Sequence, residues 1–440
     1  MSPTAPSPGP HTSKGADSDT SSGPARRRPR FGLGFWAVCG GMFLANLASG
    51  ISSVAFPWLA TSVTDSALLI SATAVLLELP WLLASLPAGV LIDRANHRWT
   101  LGLSHLFRAL VAGGIALVLS AGPAPLALIY VAAFLIGSVT VLNENTSQVV
   151  VPALVPSSLL ERANGLLVMT DTVGGLFLGP WIGGLLLGAS LMLPFVFEGG
   201  LFALAAALMI FVVLAPRTGE RPRRTLRSEM AEGLRYFWSH SQLRTLGIFL
   251  GLLNLSSAVA LSTQVLFAQT VLGLDATRFG LLFLAGGIGA MLGAGLTSVL
   301  ERSWGARRIL LISLAGNALT SLTIGLASNA LVVAFAIASG GMLSTVWNVL
   351  TVSYRQRIVP PEMLGRVNSI YRLLAWGPLP VGSLLGGLLV TLSAHLSTRE
   401  IGLRTPLIVA ALIAGVLTVL AFARLREGIW SSDYRAGKEG

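Results

Sequence analysis

Long apolar stretches, each followed by a few polar residues, repeat along almost the whole chain. A helix needs about 20 mostly apolar residues to cross the hydrocarbon core of a bilayer. Windows of that length predict twelve membrane-spanning helices, which we number as spans 1 to 12 in chain order. They cover residues 33–58, 67–91, 99–121, 125–148, 164–188, 191–214, 243–270, 278–299, 307–327, 329–351, 368–393 and 405–424. The pattern therefore predicts an all-α integral membrane protein.

Composition indicates the same class of protein. Hydrophobic residues make up 53% of the 440 residues, and charged residues only 11%. A soluble chain of this length has no means of burying so much apolar surface, because burial saturates as domains grow. The first 30 residues differ from the rest, since they are rich in Pro, Ser, Gly and Thr. That composition predicts a disordered cytosolic tail.

The formal net charge of +11 would suit a nucleic-acid partner, but its distribution along the chain argues against one. If the N-terminus is cytoplasmic, 25 of the 30 Lys and Arg residues lie in cytoplasmic segments and three in outer loops. This bias is the one that the positive-inside rule describes. We therefore expect a multi-pass protein of the inner (cytoplasmic) membrane, with both termini in the cytoplasm and no nucleic-acid partner.

The chain divides into six spans, a basic linker and six further spans. VPSSLLERAN (155–164) and VPPEMLGRVN (359–368) share the pattern V-P-x3-L-x-R-x-N at an offset of 204 residues. Two similar six-helix halves with a substrate site between them are typical of rocking secondary transporters. The predicted domains are the tail 1–30, a first six-helix bundle 31–214, a basic linker 215–242, a second six-helix bundle 243–425 and a cytosolic tail 426–440.

Inside the linker, apolar residues recur at near-helical spacing among charged ones. They are Leu226, Met230, Leu234 and Phe237. This stripe predicts a helix that lies on the inner membrane surface, with an ordinary solvated linker helix as the alternative.

Three sequence segments carry a resemblance to a known family. GVLIDRANHRWTL follows span 2, GLFLGPWIGG lies in span 5, and YRQRIVPPEMLGRVNSIYRLLAW occupies 354–376. Together they resemble the major facilitator superfamily, and most closely its branch of macrolide-efflux proteins and enterobactin-type siderophore exporters. The resemblance covers roughly residues 33 to 425 and implies the major facilitator fold of two pseudo-symmetric six-helix bundles. It also implies a small-molecule substrate, protons as the coupling ion and a monomer that works in the lipid bilayer.

The first segment resembles the family's cytoplasmic gating motif. Its matching residues are Gly89, Asp93, Arg94 and Arg98, whereas Asn96 and His97 replace the usual Gly and Arg. An anion is stabilised at the positive N-terminal end of a helix. The resemblance implies that Asp93 meets the start of span 11, near Arg366, and locks the cytoplasmic side. The alternative is that these charges are solvated and only fix the topology.

The second segment resembles the family's antiporter motif. Small residues four apart let helix backbones pack closely, and a proline inside a helix removes a hydrogen bond and favours a kink. In the family this motif is associated with export. Span 11 repeats the glycines of the motif as Gly382, Gly386 and Gly387, but Ser383 replaces the proline. The motif residues in span 5 are Gly175, Gly179, Pro180, Gly183 and Gly184.

Ionisable residues inside spans are candidates for function, because a charge in the membrane interior is costly. Burial favours the neutral form of a carboxyl group, which would suit proton exchange. Span 4 contains no Arg, so proton coupling is inferred from the class of protein alone. We expect Arg108 to pair with Asp171 or Glu144, and Glu198 to reach water at the outer surface. The coupling candidates are Asp171, Glu144, Glu78 and Arg108, with Glu198 and Arg372 as the other charges within spans.

Six consecutive polar residues, 143–148, end predicted span 4. They would cover every side of a helix, so some must bond to neighbouring helices, and Glu144 with Gln148 forms the best face for a water-filled cavity. Large apolar cavities with a few polar groups suit amphipathic molecules. The candidates for substrate contact are Asn46, Gln148, Gln264, Trp347, Asn348 and Trp376.

Other functions have less support. The single cysteine, Cys39, excludes an intrachain disulfide and a thiolate metal site. HExxH, GxSxG and Walker sequences do not occur, so we expect neither an enzyme nor a cofactor. The interpretation is a proton-driven exporter of an amphipathic drug, macrolide-like compound or siderophore. An importer of a small metabolite and a non-transporting sensor remain the alternatives.

Overall fold

The computed structural model describes residues 31–94, 96–213 and 226–425. The side chains of residues 84–94, 226–230 and 361 are outside this description, as are the predicted tails 1–30 and 426–440. The described part of the chain contains eleven helices that are long and apolar enough to cross a membrane. A twelfth apolar helix begins at Ala67, so every predicted span has its helix.

The twelve spans follow the predicted order, and most are longer than the hydropathy windows. Their bounds are Leu33–Thr61, Ala67–Arg94, His97–Ala121, Leu126–Leu154, Ser157–Ala189, Leu193–Phe211, Ser241–Thr270, Ala276–Trp304, Ala306–Leu326, Ala330–Ile358, Glu362–Leu396 and Arg399–Arg424. Spans 5, 8, 10 and 11 extend furthest beyond their windows. A helix satisfies its own backbone hydrogen bonds, so it continues through polar residues at which an apolar window ends.

Three spans change geometry within their length, and span 6 ends in the short 3-10 helix Met209–Phe211. Span 5 consists of the α-helix Leu160–Thr170, the π-helix Asp171–Leu178 and the α-helix Gly179–Ala189. Span 7 breaks between Leu261 and Gln264, and span 11 breaks after Trp376. Irregular backbone within a membrane is tolerated where it is enclosed by protein or lines a cavity.

The linker contains the predicted helix, Leu226–Ser239. Phe237 is 2% exposed and packs against residues of spans 7 and 11, and Arg366 forms a 2.9 Å ion pair with Glu232. The helix is therefore docked on the second half of the chain, a position that neither predicted alternative included. We call the end of the structure at which this helix lies the linker end, and the opposite end the far end.

A hydrophobic cluster at the far end contains residues from both halves of the chain. Its buried members include Val54, Ala60, Ile70 and Leu187 from spans 1 to 6, together with Phe267, Phe279, Val390 and Leu403 from spans 7 to 12. Hydrogen bonds and ion pairs complete the closure, with Gln269 donating to Thr61 at 3.0 Å and Arg399 lying 3.5 Å from Asp65. The far end is thus closed by direct contact between the halves.

The linker end is arranged differently. Among the described residues, each buried hydrophobic cluster at this end stays within one half of the chain. Among the described side chains, the contacts that join the halves lie at the far end and along the middle of the spans. We call the space between the halves toward the linker end the vestibule. The chain from Phe31 onward clusters as one compact unit, and the predicted domain boundaries therefore stay a prediction.

Candidate functional site

The glycines of span 5 form a close seam with spans 1 and 8. A Cβ placed on Gly179 would lie 2.6 Å from the Cα of Gly50, and one on Gly184 would lie 2.8 Å from the Cα of Gly280. Gly183 approaches the backbone of Ile51 in the same way. These distances leave no room for a side chain. The predicted role of the small residues, close packing of helix backbones, agrees with this geometry.

Pro180 marks the point where the π-helix of span 5 returns to α-helix. Proline has no N–H to donate, so the regular hydrogen-bond pattern is interrupted one turn before it. The wider π turn begins at Asp171, which lies on the same turn as Gly175 with its Oδ1 facing that glycine. Single π turns within helices are frequent at functional sites. The expected irregularity is therefore present, as a change of helix type.

Span 11 repeats the seam against the opposite pair of helices. A Cβ on Gly382 would lie 2.5 Å from the carbonyl oxygen of Leu255 in span 7, and Gly387 approaches Ser71 in span 2. Ser383, which stands where span 5 has its proline, donates a 2.9 Å hydrogen bond to Glu78 of span 2. The hydrogen bond of Glu78 therefore joins the two halves near the middle of the spans, between the vestibule and the far end.

The polar stretch 143–148 lies inside the helix of span 4, and its side chains bond to two neighbouring spans and to the backbone of their own helix. Asn143 is buried and lies 3.3 Å from the Nε2 atom of His105 in span 3. Thr146 and Ser147 donate to carbonyl oxygens of their own helix. Asn145 and Gln148 instead turn toward span 11. The polar run thus serves both the interior of the first half and the surface between the halves.

Arg372 of span 11 crosses the vestibule to span 4. Its two terminal nitrogens donate to the Oδ1 atom of Asn145 at 2.7 Å and to the Oε1 atom of Gln148 at 2.6 Å. One turn further along span 11, Trp376 stacks on Trp81 with ring centroids 4.5 Å apart. Both contacts join the two halves of the chain. The one between Arg372 and Gln148 lies about 9 Å from the linker end of span 4, nearer that end than Glu144, and the tryptophan stack lies deeper.

Glu144 and Asp171 lie on the same side of the vestibule. Their carboxylates are close enough to repel each other, and Glu144 is also attracted by Arg108 and Arg372. Asp171 is exposed and Glu144 half-buried, and Glu144 also faces Arg372 of the opposite half. The structure thus brings together two of the predicted coupling candidates.

Arg108 is deep inside the first half, about 16 Å along span 3 from His97. It is 4% exposed, donates to Ser49 Oγ at 2.9 Å and lies 3.9 Å over the ring of Phe202. The carboxylates acting most strongly on it are those of Glu198 and then Glu144. Among the described residues neither carboxylate forms an ion pair with the guanidinium, so the predicted pairing with Glu144 or Asp171 stays a prediction, and the stronger influence of Glu198 was not predicted.

Glu198 contradicts its sequence-based prediction. We expected its carboxylate to reach water at the membrane surface, but the residue is 0% exposed. Span 6 packs this turn against spans 1 and 3, so the side chain points into the first half. A hydropathy window does not show which face of a helix is covered, and this caused the error. The spacing of Glu198 and Phe202, one helical turn apart, was the available signal for a shared face.

The cavity candidates fall in several different places. Asn46 donates to Thr170 Oγ1 at 3.2 Å, between spans 1 and 5, and Asn348 is exposed. Trp347 is 4% exposed within the hydrophobic core of the second half, which contradicts its predicted role on the cavity wall. Gln264 lies next to the far-end cluster, away from the open vestibule. Gln148 and Trp376 do lie between the halves, where they contact Arg372 and Trp81.

The predicted gating residues are mostly outside the described side chains. Gly89, Asp93 and Arg94 belong to the helix of span 2, but their side chains are not described. Arg98 donates to the carbonyl oxygen of Ile210 at 2.9 Å, a contact within the first half. The gating role of this motif stays a prediction. Among the described residues, no group of three His, Cys, Asp or Glu side chains is placed to hold a metal ion.

The fold and site define a class: a polytopic helical membrane protein whose two halves enclose a polar vestibule. The sequence profile of the Major Facilitator Superfamily matches residues 38–377, and the chain belongs to that superfamily. It is therefore a membrane transporter rather than an enzyme, and its resemblance to exporters of this superfamily is confirmed by its curated relatives.

Two of these relatives are exporters. An enterobactin exporter of Shigella boydii serotype 4 is 28% identical over 408 residues, which cover 89% of this chain and 92% of the relative. The multidrug efflux pump Tap of Mycolicibacterium fortuitum is 28% identical over 400 residues, covering 87% and 94% of the two chains. A mutant of the nucleoside transporter NupG has a similar fold, with a TM-score of 0.71, 12% identity and coverage of 90% and 100%.

Proposed function

We propose that this transporter exports an amphipathic small molecule across the cytoplasmic membrane in exchange for protons. The observation that carries the proposal is the pair of Asp171 and Glu144 on the wall of a vestibule that is closed at the far end. In this proposal the linker end is cytoplasmic, as the charge bias predicts, and the structure is the inward-facing state. Substrate would enter the vestibule from the cytoplasm.

Export rather than import is supported by two observations. The complete glycine–proline motif is in span 5, where the π-helix begins at an acid that faces the vestibule. The two relatives that resemble this chain over most of their length are named as exporter and efflux pump. The import hypothesis has the weaker support of a likeness in fold to a nucleoside transporter.

Alternating access requires the contacts across the far end to break while new ones form at the linker end. The cross-half hydrogen bond from Ser383 to Glu78 and the Trp81–Trp376 stack are the mid-depth contacts that such a movement would disrupt. A proton on Glu78, Glu144 or Asp171 removes a negative charge at the place where the halves meet. Proton binding would thereby change which of the two states is more stable.

The test is drug accumulation in an efflux-deficient bacterium. Cells would express the wild type, Asp171→Asn or the control Glu161→Gln, an exposed acid near the start of the same span. With erythromycin, tetracycline, ethidium and a catecholate siderophore as probes, we expect lower accumulation with the wild type and the control. Asp171→Asn and a protonophore should each abolish the difference.

Two other outcomes would contradict the proposal. Higher accumulation with the wild type would indicate import. Binding of a probe to the purified protein without movement across proteoliposomes would favour the sensor.

A further inference from the structure

A closed polar cluster lies inside the first half, behind the wall of the vestibule. Spans 1, 3, 4 and 6 each contribute to it, and all of its residues except Ser49 are buried. Two aromatic contacts close it on one side, since the ring of Phe202 lies against both Arg108 and His105. The cluster consists of Ser49, Ser52, His105, Arg108, Asn143 and Glu198.

The cluster has hydrogen-bonding capacity that the protein does not fill. Both carboxylate oxygens of Glu198 lack a hydrogen-bond partner, and so do Ser52 Oγ, Arg108 Nε and His105 Nδ1. The hydroxyl of Ser52 lies near Glu198 but forms no hydrogen bond of regular geometry with it. Buried polar atoms normally find partners, so such a group calls for internal water or a change of protonation.

Arg108 faces two acids at different depths. Glu198 is five residues from the far end of span 6, about 7 Å along the helix, whereas Glu144 is about 15 Å from the linker end of span 4. Arg108 interacts with both carboxylates, and Glu144 has access to the vestibule. The guanidinium of Arg108 therefore lies between Glu198, which is nearer the far end, and Glu144, on the wall of the vestibule.

We propose that Glu198 is a proton-binding site and that Arg108 couples it to Glu144, so that protons cross the first half beside the substrate vestibule. A proton bound by Glu198 would pass through internal water near Ser52 and Arg108 to the carboxylate of Glu144. Glu144 then releases it into the vestibule. Arg108 stays protonated throughout and balances whichever acid is charged. This path rests on the proposed exchange of substrate for protons.

Span 1 connects the cluster to the moving parts. Ser49 and Ser52 face Arg108 and Glu198, whereas Gly50, between them, packs against Gly179 of span 5. A change of charge in the cluster would therefore act on span 1, which packs against the glycine seam of span 5. Arg108 is a positioning residue in this scheme, because it acts through the two acids.

Other ionisable groups face the cluster and would influence its titration. Span 3 contributes His105 as well as Arg108, and span 4 contributes Glu144. Span 1 supplies the hydroxyls of Ser49 and Ser52. Beyond Glu144 lie Asp171 of span 5 and Arg372 of span 11, which interact with that acid.

The first test measures proton binding directly. Infrared difference spectra of the purified full-length protein would be recorded between acid and alkaline pH, in the carboxylic C=O region. We expect a band in the wild type that is lost in Glu198→Gln and kept in the control Asp65→Asn. Superimposable spectra for the wild type and Glu198→Gln would overturn the proposal, whatever the protein transports.

The second test separates coupling from folding, in proteoliposomes with ethidium and erythromycin as probes. Glu198→Gln should lose accumulation driven by a proton gradient but keep exchange of labelled for unlabelled probe without a gradient. Glu198→Asp should restore part of the driven transport. Loss of both activities in Glu198→Gln, or loss of neither, would contradict the coupling role. If the wild type shows the infrared band but no proton-driven transport, the proposed function fails and the proton site stands.

Discussion

The two halves of the chain place the same kind of amide contact at the same point. Asn46 and Asn254 each lie thirteen residues after the start of spans 1 and 7. Asn46 donates to Thr170 of span 5, and Asn254 donates to the carbonyl oxygen of Ala375 in span 11 at 2.8 Å. The glycine seams repeat in the same way, so the packing framework is common to both halves.

The buried charges, in contrast, are not repeated. Arg108 and Asn317 each lie eleven residues after the start of spans 3 and 9, but Asn317 bonds only to neutral partners, Ser313 and Ser344. At the offset of 204 residues, Glu144 corresponds to Asn348. Both halves therefore share the packing framework, whereas at these paired positions only the first half has ionisable residues. The second half contributes Arg372 and Trp376 to the vestibule.

The largest expected effect comes from removing the charge at the first of these paired positions. Arg108→Met leaves the carboxylate of Glu198 buried without a counter-charge, which costs about 3–5 kcal/mol of unfolding free energy. Asn317→Leu should cost only about 1 kcal/mol, since it removes neutral hydrogen bonds. Unfolding in mixed detergent micelles measures both. Adding Glu198→Gln to Arg108→Met should recover most of the lost unfolding free energy. Equal losses for Arg108→Met and Asn317→Leu would contradict the difference between the two halves.

The seams should respond alike in the two halves. Gly179→Ala and Gly382→Ala each place a methyl group within 3 Å of a neighbouring helix backbone, and overpacking of this kind costs about 1–3 kcal/mol. Gly165→Ala, in the same span as Gly179, is the matched control because nothing lies within 4 Å of its Cβ position. Thermal unfolding of the purified variants is the measurement. A loss confined to one seam would contradict the shared framework.

The smallest effect is expected at the paired amides. Asn46→Ala and Asn254→Ala each remove one hydrogen bond between helices, and such bonds in membrane proteins average about 0.6 kcal/mol. Both variants should stay folded and lose similar amounts of unfolding free energy. Unfolding in mixed micelles, with Asn348→Ala as an exposed control, measures the difference. A much larger loss for Asn46→Ala would mean that this amide serves the vestibule as well as the packing.

Much of the fold could be predicted from residue pattern alone. The number and order of the spans follow from apolar length, because a membrane accepts few other backbone structures. The seam in span 5 followed from Gly179, Gly183 and Pro180, since small residues and proline have direct consequences for helix backbones. In both cases the information is local in the sequence.

The environment of each intramembrane charge was not predictable in this way. Asp171 and Glu144 were expected near each other because of their depths along spans 5 and 4, and their carboxylates do interact. Their role in the vestibule stays a prediction. Glu198 was misplaced, since depth does not tell which face of span 6 is covered. Trp347 was assigned to the cavity, although its face of span 10 turns into the core.

The sequence by itself thus determined the class of protein, the twelve spans and the seam that repeats in both halves. Only the tertiary structure decided which groups each intramembrane charge faces. Arg372 bonds to Asn145 and Gln148, Glu78 accepts from Ser383, and Arg108 is influenced most by Glu198. The physical reason is that a helix satisfies its own backbone wherever it lies, so its existence is a local property. The partner of a polar side chain depends on the rotation of each helix against its neighbours, which packing over the whole molecule sets.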